Sequence, residues 1–164
     1  MKLDLTQATA RELMHIESQI INQLLQRGLV RTRNKPIGDL AEAAVAKALG
    51  GQLAHNSKAS FDISVGEKLV QVKALQVYKG RAKSKFQFSA FREPFGFDTC
   101  VFVVFDDDAE IQLAYEVAVE TIKQLGRFAK HTNSYTVRYI QILELSESKR
   151  TDVSGQVSNS WNTL

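Results

Sequence analysis

Phe61-Asp62-Ile63-Ser64-Val65-Gly66-Glu67-Lys68-Leu69-Val70-Gln71-Val72-Lys73-Ala74 is the stretch on which the fold turns. Residues 61–65 and 69–74 are short alternating runs rich in β-branched side chains, and Gly66-Glu67-Lys68 separates them, the pattern of two antiparallel strands joined by a tight turn. A two-residue loop with glycine first suits a type II′ turn. Val65 then faces Lys68, and the register carries Asp62 opposite Gln71. Directly opposed side chains have Cβ atoms about 5 Å apart. Strand alternation places Gln71 and Lys73 on one face and Val70, Val72 and Ala74 on the other, so a polar, convergent face backs onto an apolar one. A three-residue loop would shift the pairing by one and turn Asp62 away from Gln71.

On the N-terminal side, Thr9 precedes Glu12 by three residues in a capping-box pattern, and Leu13, Ile16, Ile20, Leu24 and Leu25 follow at helical spacing. Gly28 suits the C′ position, so an amphipathic helix is predicted over 9–27. His15 within it reads as a surface or packing residue, since no second ligand stands at metal-binding spacing. A basic loop over 28–36 leads to an alanine-rich helix over 37–49 that Gly50-Gly51 stops. Glu42 on this helix either faces solvent or points inward towards the sheet.

On the C-terminal side, residues 77–92 are polar and basic with interleaved aromatic rings, and 97–105 read as a central strand buried on both faces. Asp106-Asp107-Asp108 reads as a strand-end turn. A returning strand is predicted over 111–117, a short helix over 119–128 and a last strand over 135–143. The predicted organisation is one domain over 1–145 and a flexible, serine-rich tail over 146–164, with Trp161 as a docking residue. The order of elements indicates an α/β domain with a mixed sheet and flanking helices.

The chain has 164 residues, 44% hydrophobic and 24% charged, which suits one globular domain. No apolar run is long enough to span a membrane and no signal-peptide core is visible, so a soluble, cytoplasmic protein without a membrane partner is expected. A single cysteine, Cys100, excludes a disulfide framework and a cysteine-rich zinc site, and reads as a core residue. The net charge of +3 is unevenly spread. Residues 27–92 hold thirteen Lys and Arg against four acids, whereas the rest holds eight against fourteen. Positive charge therefore surrounds the hairpin, an electrostatic footprint for a polyanion.

A helix-borne acid (Glu42), an Asp at the start of a hairpin (Asp62) and a second strand carrying Gln71-Val72-Lys73 resemble the PD-(D/E)xK nuclease superfamily, which includes restriction endonucleases and Holliday-junction resolvases. The resemblance covers roughly residues 36–106, with Gly38-Asp39-Leu40-Ala41-Glu42, Ser57-Lys58-Ala59-Ser60 and the basic segment after Lys73 as context. It implies a restriction endonuclease-like mixed central β-sheet flanked by helices, and a metal-dependent endonuclease that hydrolyses DNA phosphodiester bonds with Mg²⁺, Mn²⁺ being an alternative. Asp62, Gln71, Lys73 and Glu42 are the implied catalytic set. Asp62, Gln71, Glu42 and the Val72 carbonyl are the implied metal ligands, and carboxylates are the hard donors Mg²⁺ requires. Gln71 stands where the superfamily more often has Glu or Asp, so a charge is missing unless Glu42 supplies it. Lys73 would orient the attacking water and stabilise charge on the phosphate.

Arg31, Arg33, Lys35, Lys79, Arg81, Lys83, Lys85 and Arg92, with Tyr78 for stacking, are candidate nucleic-acid contacts. DNA is the expected partner, with RNA open. Many enzymes of the superfamily cut both strands as dimers, and the N-terminal helix is the candidate homodimer interface. The alternatives are a catalytically inactive nuclease-fold binding module, for which the neutral Gln71 argues, and an adaptor that makes its contacts through the N-terminal helix and tail.

Overall fold

The computed structural model describes residues 3–54 and 60–164, so Ser57, Lys58 and Ala59 lie outside the described residues. In chain order the elements are α1 (Ala10–Gln26), α2 (Ile37–Leu49), β1 (Gln52–Leu53), β2 (Ile63–Val65), β3 (Lys68–Gln76), β4 (Phe91–Arg92), β5 (Thr99–Phe105), β6 (Ile111–Ala118), α3 (Val119–Leu125), β7 (Arg127–Ala129), β8 (Ser134–Thr136), α4 (Tyr139–Leu143), β9 (Thr151–Asp152) and α5 (Ser154–Trp161). Among the described residues no helix is long and apolar enough to cross a membrane.

The hairpin folds as its turn chemistry requires. Gly66 carries the positive φ of the turn, +60°, and Val65 pairs with Lys68 and Ile63 with Val70. Strand β3 then pairs in parallel with β5, which pairs antiparallel with β6, giving a mixed six-stranded sheet in the order β1-β2-β3-β5-β6-β9. Cys100 to Phe105 are all buried at its centre, as their continuous apolar run predicts. Burial pushes the Cys100 thiol well up from its usual range, which keeps it protonated in the core.

Two apolar layers cover the sheet. Ala41, Ala44 and Val45 of α2 pack on Ile63, Val70, Val72, Val101 and Val103, and α5 shares this side. The opposite side is aromatic, with Phe86, Phe88, Phe91 and Phe97 gathered over Cys100 and Phe102. Parallel pairing of β3 and β5 needs a long crossover. Residues 77–98 supply it, with a single 3₁₀ turn at Lys83–Lys85 and strand β4, which joins β8 and β7 in a second sheet of order β4-β8-β7.

Helix α1 has the expected capping box and the expected Gly28 at φ +68°, yet of its apolar residues only Ile21 is buried; Leu13, Met14 and Ile20 stay exposed. Helix α3 is shorter than its predicted 119–128, because Gly126 turns extended and leaves Phe128 on a strand. A Cβ at Gly126 would sit 3.1 Å from the Tyr135 side chain, so glycine admits the β8 strand here. The strand predicted over 135–143 is a strand only to Thr136 and a helix from Tyr139. Val137, Tyr139 and Ile142 are all buried, and a short apolar run of that kind satisfies either period.

The flexible tail predicted over 146–164 is corrected by β9 and α5. Val153 and Val157 are buried, and the Trp161 ring meets Phe105 edge-on at 5.1 Å. Serine here joins strand to helix: Ser154 Oγ accepts from the Ala114 N–H at 2.8 Å and Val153 N donates to the Ala114 carbonyl at 2.9 Å.

Candidate active site

Asp62 stands just before β2, where the regular ladder ends. Its N–H donates to the Val70 carbonyl at 2.9 Å, one residue off the register that pairs Ile63 with Val70. The strict Asp62–Gln71 opposition expected from the turn therefore slips by one at the backbone, but the side chains still meet. Asp62 Oδ2 accepts from Gln71 Nε2 at 2.5 Å and from the Val72 N–H at 2.7 Å. The Val72 N–H looks outward here because β2 no longer supplies a strand partner, and the Val72 carbonyl projects to the same side.

Gln71 and Lys73 register with Cys100 and Phe102 and so share the aromatic face, whereas α2 covers the opposite one. Lys73 Nζ donates to the Ala90 carbonyl at 3.3 Å and lies 4.9 Å above the Phe91 ring. Glu42 settles its two open orientations by pointing inward, its side chain only 15% exposed. Burial and the nearby Asp62 charge raise its pKa from 4.5 to about 7, against the pull of Arg31. Burial likewise raises Asp62, opposed by the Val72 N–H and by Lys73 and Arg31. Asp62 thus bonds the strand-borne amide directly, while the charges of the helix-borne Glu42 and of Lys73 act on it.

Arg31 has a different place from the one its sequence suggests. Its Nη2 donates to Asp39 Oδ1 at 2.8 Å and to Glu42 Oε2 at 2.6 Å, and its N–H donates to Asp39 Oδ2 at 2.7 Å. Burial opposes ionisation of Asp39, and the Arg31 hydrogen bonds outweigh it, holding this carboxyl below its usual range. Arg31 is therefore a clamp across the acids of α2 rather than a free phosphate contact. Sequence reading gave Asp39 no role, and its only signal was an acid one helical turn before Glu42.

Among the other basic candidates, Arg33 donates to Asn22 at 2.5 Å, and Lys35 is exposed. Tyr78, Arg81, Lys83 and Lys85 gather around Phe86, with the Tyr78 ring 6.2 Å from it and the Arg81 guanidinium 5.0 Å over it. The Lys79 N–H donates to Asp107 at 3.3 Å, and Arg92 lies apart on β4. Arg138 joins the first group through a bridge with Gln87, a long-range pairing that sequence reading missed. Asp106 accepts from the N–H groups of Asp108 and Glu110, each at 2.9 Å, the turn role expected of it. His15 lies on the exposed surface of α1 beside Gln19.

Among the described residues no three His, Cys, Asp or Glu side chains gather to hold a metal. The available donor set is two carboxylates, one amide and one carbonyl. Asp62, Gln71 and Glu42 each keep an oxygen (Oδ1, Oε1 and Oε1) that takes no hydrogen bond from a described residue. Such a set fits a hard dication that relies on one or two carboxylates and completes its shell with water and phosphate. Compared with known proteins, the chain matches no protein-family model and no curated protein.

Two consequences are measurable. Folded Glu42 keeps its proton to about pH 7, whereas an unfolded chain loses it near 4.5, so the folded state binds more protons between these values. Its contribution to stability is full below about pH 4.5 and is lost as pH rises through 7, by up to about 3 kcal/mol. Urea unfolding at pH 5 and pH 8 should show that loss, and Glu42→Gln should flatten it. At Gly96 an added Cβ would lie 2.5 Å from the Ser60 Cβ, two residues before Asp62. Gly96→Ala should cost about 1–3 kcal/mol in the same assay, as overpacking does.

Proposed function

We propose that this chain is a metal-dependent endonuclease of the PD-(D/E)xK type, with a restriction endonuclease-like fold, that hydrolyses DNA phosphodiester bonds. The observation that carries the proposal is the bonding of Asp62 by Gln71 and the Val72 N–H, with the buried Glu42 near enough to feel the Asp62 charge and Lys73 on the face of Gln71. Asp62, Glu42, the Gln71 amide oxygen and the Val72 carbonyl would hold Mg²⁺ or Mn²⁺. Gln71 presents its nitrogen to Asp62, so holding the cation requires its amide to turn over. When bound, such a cation draws negative charge off the phosphodiester.

The residues of the chain do the rest. Lys73, fixed by the Ala90 carbonyl and the Phe91 ring, aims an ammonium at the attacked phosphate and stabilises the charge that develops there. Arg31 neutralises Asp39 and holds Glu42 in place. The exposed group around Tyr78 and Phe86 offers charge and stacking surface to the strand. RNA serves as the control substrate. The exposed Leu13, Met14 and Ile20 of α1 support a homodimer, which sedimentation would show as a doubled mass. Incubating the protein with duplex and branched DNA in Mg²⁺ tests the activity, and no cleavage by wild type at any metal concentration would overturn it.

A second reading rests on one observation. The Gln71 amide and the Arg31 clamp each already occupy one oxygen of the Asp62 and Glu42 carboxylates. A binding module with an inactive nuclease fold would keep them so. Calorimetry separates the two, since the module binds DNA and gives no heat with Mg²⁺ or Mn²⁺.

A further inference from the structure

The second sheet carries a row of aromatic rings that leads away from Lys73. Tyr135 on β8 pairs directly with Phe91 on β4 and with Phe128 on β7, which places the three side chains on one face. The Phe128 and Tyr135 ring centroids are 5.0 Å apart, Phe95 lies 5.3 Å from Tyr135, and Phe91 lies 6.2 Å from Phe95. Exposure grows along the row: Phe91 is 3% exposed beneath the Lys73 ammonium, and Phe128 is 48% exposed at the far end. The Tyr135 hydroxyl donates to Glu93 at 3.1 Å, which fixes the middle ring.

An exposed ring at the end of an anchored row has two ordinary occupants, an apolar protein surface or a nucleobase. Charge decides between them. Lys73 lies 4.9 Å over Phe91 and Lys123 lies 5.6 Å over Phe95, so an ammonium flanks the row at two points. Lys123 also meets Glu120 at 3.0 Å, but that pair is exposed and one turn apart on a helix, so it holds the lysine weakly. Lys130 and His131 are exposed just beyond Phe128 in the chain, whereas Arg127, paired with Thr136, lies on the opposite face. Cations beside an exposed ring are what a single strand takes, its phosphates on the ammonium groups and a base on the ring.

We propose that the β4-β8-β7 sheet binds an unpaired segment of DNA, with Phe128 as the stacking platform for a base. The segment runs from Phe128 along the row towards Lys73. A duplex keeps its bases stacked on each other and has none to give to Phe128. The inference rests on the nuclease reading for the direction of the strand towards Lys73, and it makes the substrate a DNA with single-stranded character beside the bond that is cut.

The test is fluorescence anisotropy of the full chain with a labelled single-stranded oligonucleotide and with the corresponding duplex, in EDTA so that nothing is cut. Phe128→Ala should weaken single-strand affinity about tenfold, the range expected for one base–aromatic stack, and change duplex affinity less than about twofold. Phe128→Trp should restore it. Circular dichroism checks that Phe128→Ala, a truncation at an exposed site, is folded. Unchanged single-strand affinity in Phe128→Ala, equal losses for single strand and duplex, or no single-strand binding by wild type would each overturn the proposal. Such a result leaves the nuclease reading standing if Asp62→Asn abolishes cleavage, whereas cleavage that survives Asp62→Asn sinks that reading and leaves the platform intact.

Discussion

Asp62→Asn should lose Mg²⁺-dependent DNA cleavage by about 10³-fold or more, at or beyond the upper end of what one preorganised charge-stabilising group contributes. Asparagine has the same shape and keeps a carbonyl oxygen where Asp62 Oδ2 accepts from Gln71 and from the Val72 N–H. What it removes is the negative charge that a cation needs. Burial raises the pKa of Asp62, so its ionised form is held at a cost in the folded state, and neutralising it should leave stability unchanged or slightly higher. DNA affinity in EDTA should likewise be unchanged or rise, since a repulsive charge is gone. Lys73→Met provides the companion result: the aliphatic stem remains over Phe91 while the ammonium is lost, so cleavage falls and folding persists. Single-turnover cleavage with thermal unfolding of each variant checks both. Undiminished cleavage by Asp62→Asn would place the chemistry elsewhere.

Removing residues 153–164 should leave the chain unable to fold at ordinary temperature. Val153 and Val157 are buried against the α2 side of the sheet, and Trp161 packs on Phe105. Full burial of a valine contributes about 1.5–3 kcal/mol, and the indole adds to that. The total approaches the 5–15 kcal/mol by which a domain is usually stable. Truncation also uncovers the faces of α2 and β6 on which α5 packs, so the loss includes surface that α5 now shields. Circular dichroism of the truncated chain should show an unfolded or aggregated protein. A cooperative transition near that of the intact chain would show α5 to be dispensable.

How much of this was legible in the sequence depended on how local each cause is. The β2–β3 turn and the pairing of Val65 with Lys68 follow from Gly66 alone, and helix α2 begins and ends where its alanine run and Gly50 place it. The convergence of Asp62 and Gln71 was legible because a hairpin brings its own sequence neighbours together. The Arg31 clamp was not, because it spans a loop and its partners stand eight and eleven residues away. The parallel pairing of β3 with β5 depends on a crossover whose course no local pattern encodes. The tail misled through its composition: serine is the commonest residue of 146–164, yet Val153, Val157 and Trp161 recur every fourth residue and line the inward side of α5 and its N-cap, the two valines buried and the indole half-buried. Phe128 was read into a helix because the helix stops at the extended Gly126, and the close approach of Tyr135 there comes from later in the chain.

The central claim is that Asp62, Gln71, Glu42 and the Val72 carbonyl form one cation site. A crystal of the full chain soaked in Mn²⁺ and measured at the manganese absorption edge tests it most directly. The account predicts one anomalous peak at coordination distance from Asp62, with the Gln71 amide turned to present its oxygen and Glu42 presenting Oε1 while Oε2 stays on Arg31. An anomalous map with no peak at Asp62, its carboxylate still bonded to Gln71 and Val72, would contradict it.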